Sequence, residues 1–253
     1  MAQVILLGTG SAWSSPTREN TFLLVRGATT NILIDVAGSP AQRLAQLGVS
    51  PAEIDHIILT HNHPDHVYGY PILMLNAWMA GRKEPLHVYG LQTTLNSAKA
   101  LMNAVSFREW PNFFKIKYHV VTPNSIAKLP PIGEFDIEAM LAKHYVPTIA
   151  LRITERATGS VLAYSADTAP HENIVEIARD ANLFFHEATE LNTSSAGHST
   201  AFEAGAEAAA AHVKSLVLVH VPPNVNPEQW RRAAKQNFRG KVRVANDFDV
   251  IEF

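Results

Sequence analysis

The chain has 253 residues, 47% of them hydrophobic and 17% charged, and a formal net charge of -2 with its twelve histidines neutral. A chain of this size can bury roughly three quarters of the surface its unfolded form exposes, so one large domain spanning 1–253 or two fused halves both fit. The small net charge and the lack of any Lys/Arg run weigh against a large phosphate-neutralising surface, and the absence of cysteine excludes disulfides, thiolate metal sites and a cysteine nucleophile.

In chain order, the opening segment Met1-Ala2-Gln3-Val4-Ile5-Leu6-Leu7-Gly8 has no basic region, and its apolar run is too short for a signal peptide or a membrane span. A cytoplasmic protein without a membrane partner is therefore expected. Apolar, β-branched runs bounded by glycine and proline predict strands at Val4–Leu7, Phe22–Val25, Asn31–Asp35, Ile57–Thr60, Leu86–Tyr89, His119–Val121 and Ile137–Leu141. The same signals recur at Ile149–Thr154, Val161–Ser165, Leu183–His186, Leu216–Val221, Val242–Ala245 and Val250–Phe253. Helices are expected at Pro40–Leu47, Tyr70–Ala80, Leu91–Val105, His171–Asp180, Thr200–Val213 and Pro227–Phe238, with capping signals at Ser50-Pro51-Ala52-Glu53, Thr200-Ala201-Phe202-Glu203 and Asn226-Pro227. Strand-rich blocks recur in both halves, which suits an α+β arrangement of two mixed sheets packed face to face with helices on the outer faces.

The densest chemistry follows the strand at Ile57–Thr60. His61, His63, Asp65 and His66 stand within six positions. An extended chain puts 61, 63 and 65 on one side and a turn can add 66, whereas Pro64 argues against a helix across the cluster. Imidazole and carboxylate suit zinc and similar first-row ions, and a mixed nitrogen and oxygen set leaves open positions that a closed structural site would fill. Further groups stand at strand ends: His144, Asp167, His186-Glu187 and His220. Loops at strand ends are where chemistry gathers. His56, His87, His119, His171 and His212 carry no motif and read as ordinary.

Together these residues resemble the metallo-β-lactamase-fold hydrolases, more narrowly their ribonuclease Z and phosphodiesterase branch. The resemblance runs through Leu7-Gly8-Thr9-Gly10-Ser11, Leu33-Ile34-Asp35, the 61–66 cluster, His144, Tyr164-Ser165-Ala166-Asp167-Thr168, His186-Glu187-Ala188-Thr189, Gly197-His198-Ser199-Thr200 and His220. It implies a four-layer αββα sandwich. Two divalent metal ions are implied, zinc first with manganese or iron as alternatives: one held by His61, His63 and His144, the second by Asp65, His66 and His220, with Asp167 shared. A bridging water of lowered pKa would be the nucleophile. Asp65 would orient that water, His198 would protonate the leaving oxygen, and Glu187 would hold His198. His186 is expected to serve structure or to support the ligands from behind. A homodimer is implied by the resemblance alone, through the apolar stretch 72–79.

Two departures bear on the substrate. Ribonuclease Z proper carries a long arm between the ligands that correspond to His144 and Asp167; here positions 144 and 167 lie 23 apart, and a single hairpin consumes the interval. Asp35-Val36-Ala37-Gly38-Ser39 also replaces the family's usual Asp-Cys-Gly-Glu type stretch. The expectation is a dinuclear metal hydrolase of small phosphodiesters, with nucleic acid not favoured. The alternatives are a tRNA 3′-end endonuclease, a sulfate-ester or lactone hydrolase, and a non-catalytic metal-stabilised binding protein.

Overall fold

The computed structural model describes residues 2–253 apart from Asn192 and Ser194. Its strands are β1 (Gln3–Gly8), β2 (Phe22–Arg26), β3 (Asn31–Ile34), β4 (His56–Leu59), β5 (Leu86–Gly90), β6 (Ile116–Val120) and β7 (Ala127–Lys128). The second half contributes β8 (Phe135–Ala142), β9 (Thr148–Glu155), β10 (Val161–Tyr164), β11 (Leu183–Glu187), β12 (Ser215–Val219), β13 (Lys241–Val244) and β14 (Val250–Glu252). Helices are α1 (Pro40–Gln46), α2 (Pro64–Val67), α3 (Tyr70–Met79), α4 (Gln92–Ala104), α5 (Glu172–Ala178), α6 (Ala201–Ala210) and α7 (Pro227–Lys235).

Two seven-stranded sheets result, ordered β14-β1-β2-β3-β4-β5-β6 and β13-β12-β11-β10-β9-β8-β7. Each sheet is mixed in the same manner. β1, β2 and β3 pair antiparallel before β4, β5 and β6 add in parallel. Likewise β7 to β10 pair antiparallel, and β11, β12 and β13 add in parallel. The last strand returns to the first sheet beside β1.

Period-two alternation divides each strand between layers. On β1 and β2, Leu6, Leu23 and Val25 face the other sheet and meet Ile137, Ile149, Leu162 and Phe185 in the central core. Ile5, Leu7, Phe22 and Leu24 point the other way, under Leu44, Leu73, Met74, Leu95 and Met102 of α1, α3 and α4. Phe184, Leu216 and Leu218 do the same beneath Ile174, Ile177, Ala204, Ala208, Trp230 and Ala234 of α5, α6 and α7. The order is helix, sheet, sheet, helix, the expected four layers. The alanine-rich α6 lets α7 come close: a Cβ on Gly205 would lie 2.2 Å from the carbonyl oxygen of Ala234. None of the helices among the described residues is long and apolar enough to cross a membrane.

Two expectations need correction. Pro64 does not keep the 61–66 cluster out of a helix: it opens α2 at the first helical position, after an extended His63 (φ -64°, ψ 148°). Proline restrains the residue before it and loses only an N–H that has no partner in a first turn, so it can start the helix it could not continue. The short edge strand β7 was not anticipated, because two residues carry no period. The strand expected at His119–Val121 is β6, Ile116–Val120.

Candidate metal centre

Every residue singled out at a strand end lies at one rim of the sandwich. His61 and His63 follow β4, His144 follows β8, Asp167 follows β10, Glu187 ends β11 and His220 follows β12. Backbone bonds tie the rim together, from Ile149 N–H to Thr60 O (3.1 Å), from Ala169 N–H to Lys143 O (2.7 Å) and from Ser11 N–H to Val221 O (2.9 Å). Three rim residues, Asp35 (φ 61°), Ala166 (φ 51°) and His220 (φ 55°), adopt the left-handed backbone that side chains other than glycine rarely take. Such conformations cost roughly 1–3 kcal/mol each and persist where the surroundings fix them, which is where they re-aim a side chain.

The side chains form two donor sets that meet at Asp167: His61, His63, His144 and Asp167, then Asp65, His66, His220 and Asp167. The structure thus brings together the residues that the resemblance grouped. A tetrahedral ion at about 2.0–2.1 Å from each donor would hold donor atoms roughly 3.3–3.4 Å apart. In the second set His66 Nε2 lies 3.3 Å from Asp65 Oδ2 and 3.5 Å from Asp167 Oδ2, and His220 Nε2 lies 3.5 Å and 3.3 Å from the same atoms. The first set is less regular. His63 Nδ1 and His144 Nε2 are 3.0 Å apart, and His61 and His144 each place Nε2 3.9 Å from Asp167 Oδ2.

Buried polar atoms without hydrogen-bond partners give the same answer. His61 Nε2, His66 Nε2 and Asp167 Oδ1 are buried and unpartnered among protein groups. An orphaned buried donor or acceptor costs about 1–3 kcal/mol, so unpartnered atoms in both donor sets fit cations that take up their lone pairs. The outer nitrogens are engaged in ways that aim the inner ones: His61 Nδ1 on Thr60 Oγ1 (3.0 Å), His66 Nδ1 on Asp35 Oδ2 (2.8 Å), His144 Nδ1 on the Gly197 carbonyl (2.7 Å) and His220 Nδ1 on Thr189 Oγ1 (2.8 Å).

Electrostatics divides the two sets. Burial, then the charge of His66, holds His61 well below its ordinary pKa, and burial lowers His63 and His144 as well, which keeps that triad in the neutral form a metal ligand needs. Burial works against the Asp65 and Asp167 carboxylates, yet the adjacent His220 and His66 imidazoles hold both well below the usual range. His66 runs the other way: burial opposes its charge, but Asp167 and Asp35 raise it well above the usual value.

Beside the second set lies His198, with Nδ1 2.8 Å from Glu187 Oε1. Glu187 is fully buried and accepts three further bonds, from Thr168 N–H (3.0 Å), Thr189 N–H (3.0 Å) and the Thr189 hydroxyl (2.8 Å). Glu187, His198 and His220 form a third group within ligating distance. Because the carboxylate already has four donors, it reads better as the partner of His198 than as a ligand. His186 points away, its ring held between the Glu187 carbonyl (2.6 Å) and Glu207 (2.8 Å). Thr60 and Thr189, and the part Asp35 plays, were not anticipated; a polar residue closing an apolar strand is the signal that could have found Asp35.

A protein named Ribonuclease Z from Pyrococcus abyssi is 29% identical, covering 99% of this chain and 96% of its own length. Among solved structures, the metallo-beta-lactamase fold protein YhfI from Bacillus subtilis superposes with a TM-score of 0.84 at 23% identity over 100% of this chain and 99% of its own. A diphosphatase from the PhnP family gives 0.82 at 17% identity over 100% and 98%. The family model described as Anti-Pycsar protein Apyc1 matches residues 2–244, so the chain belongs to that family, within the ribonuclease Z and phosphodiesterase-like branch of the metallo-β-lactamase-fold hydrolases.

Proposed function

We propose that the protein is a dinuclear metal-dependent phosphodiesterase acting on small phosphodiesters. The observation that carries this reading is the pair of donor sets joined at Asp167, with His198 on Glu187 at its edge. His61, His63 and His144 would hold one divalent ion and Asp65, His66 and His220 the other, with zinc the first choice for an imidazole-rich set and manganese or iron the alternatives. Two such ions would supply Lewis acidity toward the phosphoryl oxygens and a water of lowered pKa.

The chain's own groups do the rest. Asp65, 12% exposed at its side chain, would orient the attacking water. His198 keeps Nδ1 on Glu187, so its Nε2 is the nitrogen turned to substrate; there the imidazolium carries the proton that goes to the leaving alkoxide. Glu187 fixes the ring's orientation and stabilises the charge. Asp167, shared between the sets, would help hold both ions.

A small substrate is favoured over tRNA by the segment between His144 and Asp167. β9 and β10 pair directly there, Val161 opposite Thr154, and the turn between them is short. No large arm is housed in it. The alignment with the Pyrococcus abyssi ribonuclease Z runs over 297 positions, more than the 253 residues present, so that relative carries segments with no counterpart here. The relatives' name is what favours the second reading, a tRNA 3′-end endonuclease. The expected homodimer rests on α3, which exposes Ile72 and Met79, and light scattering tests it.

The deciding experiment is a panel of bis-p-nitrophenyl phosphate, cyclic nucleotides, a sulfate ester, a lactone and pre-tRNA, each with zinc and with manganese. It is run at roughly 0.15 M salt because low salt exaggerates polyanion binding. Turnover of small phosphodiesters with weak pre-tRNA binding is expected. Submicromolar pre-tRNA affinity with accurate 3′ cleavage would reverse the order of the two readings.

A further inference from the structure

Thr189 stands where the two halves of the site meet. Its hydroxyl oxygen lies 2.8 Å from His220 Nδ1, 2.8 Å from Glu187 Oε2, 3.2 Å from the His220 carbonyl and 3.4 Å from His198 Nδ1. One hydroxyl hydrogen cannot serve all of these, so the direction of each bond can be worked out.

His220 turns Nε2 toward Asp65 Oδ2 (3.5 Å) and Asp167 Oδ2 (3.3 Å), the face on which it would ligate. A neutral ring ligating through Nε2 carries its hydrogen on Nδ1, and the acceptor at hand is Thr189 Oγ1. With that bond entering the oxygen, the hydroxyl's own hydrogen goes out to Glu187 Oε2, nearer and more negative than the His220 carbonyl. On its other oxygen, Oε1, Glu187 accepts from His198 Nδ1 at 2.8 Å. His220, Thr189, Glu187 and His198 thus form one directed row.

We propose that Thr189 is a positioning residue that couples the metal ligand His220 to the acid His198 through the shared Glu187 carboxylate. This rests on the reading above, in which His220 ligates and His198 donates the proton. Thr189 fixes the tautomer in which His220 ligates through Nε2, as partners of ligating histidines do elsewhere. The same hydroxyl also fixes the plane of the Glu187 carboxylate, and with it the direction of His198 Nε2. Losing the hydroxyl should therefore disturb metal affinity and proton donation together. Losing only the methyl should disturb neither.

Thr189→Val keeps the shape and removes the hydroxyl, whereas Thr189→Ser keeps the hydroxyl. Zinc affinity by chelator competition should fall about 10–100-fold in Thr189→Val, the usual cost of removing a partner from a ligating histidine. The same variant should lose more kcat on an alkyl phosphodiester, whose leaving group needs a proton, than on bis-p-nitrophenyl phosphate. Thr189→Ser should restore both. Independently of turnover, nitrogen-15 histidine spectra of zinc-loaded protein should show a slowly exchanging His220 Nδ1–H that is lost in Thr189→Val and kept in Thr189→Ser.

The proposal is overturned if Thr189→Val keeps wild-type zinc affinity and an unchanged ratio between the two substrates, or if Thr189→Ser fails to rescue, which would assign the effect to methyl packing. A protected Nδ1–H that depends on the hydroxyl, in a wild type that hydrolyses no phosphodiester, would uphold the hydrogen-bond row and sink the functional reading instead.

Discussion

Asp35 Oδ2 lies 2.8 Å from His66 Nδ1, and both side chains are fully buried. The same carboxylate accepts from Thr60 N–H (2.7 Å) and the Thr60 hydroxyl (2.8 Å), and that hydroxyl lies 3.0 Å from His61 Nδ1. One acid at the end of β3 therefore aims a histidine of each donor set, through a threonine in one case and directly in the other. The row His61, Thr60, Asp35, His66 in the first half answers the row His220, Thr189, Glu187, His198 in the second.

Asp35→Asn should lower metal affinity by about 10–100-fold while leaving the fold intact, since asparagine tolerates the left-handed backbone at φ 61° but presents a weaker partner to His66. Chelator competition measures it. An unchanged affinity would remove Asp35 from the alignment of His66.

Proton donation gives a prediction in pH. Burial disfavours the His198 imidazolium, but Glu187 at 2.8 Å outweighs burial and raises its pKa above the usual value. The acid works while protonated, so kcat should fall as pH rises through that raised pKa. Glu187→Gln removes the negative charge, and the alkaline limb should move to lower pH. His198→Ala should lower kcat by roughly 10²–10⁴-fold with metal content unchanged, less for p-nitrophenolate leaving groups. Loss of metal in His198→Ala would show that it ligates instead.

The strands were legible because buried, β-branched runs leave a period of two, and most boundaries fall within a residue or two of those expected, as Leu183–Glu187 does for Leu183–His186. Donor residues were legible because His61, His63, Asp65 and His66 have no other business together. What the chain did not disclose is long-range. The left-handed turns at Ala166 and His220 leave no mark in their residue types, and the hydroxyls of Thr60 and Thr189 acquire meaning only when β3, β4, β11 and β12 lie side by side. Pro64 argued against a helix across the cluster on sequence grounds, whereas it is the first residue of α2.

A buried pair away from the metals bears on stability. Both ring nitrogens of His186 face acceptors, and although burial opposes its charge, Glu207 at 2.8 Å raises its pKa above the usual value. A raised folded pKa gives stabilisation fully present below the unfolded value of about 6.5 and lost as pH rises through the folded one. Glu207→Gln should cost about 1–3 kcal/mol at pH 6 and little above the raised pKa. Urea unfolding at pH 6 and pH 9 tests this; an equal cost at both would assign the effect to packing.

Asp167 should be the residue on which both ions depend. Its Oδ2 lies 3.3 Å and 3.5 Å from the imidazole nitrogens of His220 and His66, and 3.9 Å from those of His61 and His144. Protein purified without chelator should approach two equivalents of metal. His63→Ala, which touches one set, should leave about one, and Asp167→Ala should leave neither tightly bound, because each set loses its shared anion. Stripping the metal should also lower the melting temperature: a ligand at 100 times its Kd contributes about 2.7 kcal/mol, or roughly 5–10 °C for a chain of this length. In Asp167→Ala that difference between stripped and loaded protein should largely disappear. Two retained equivalents in Asp167→Ala, or one equivalent with full activity in the wild type, would overturn the shared-ligand arrangement.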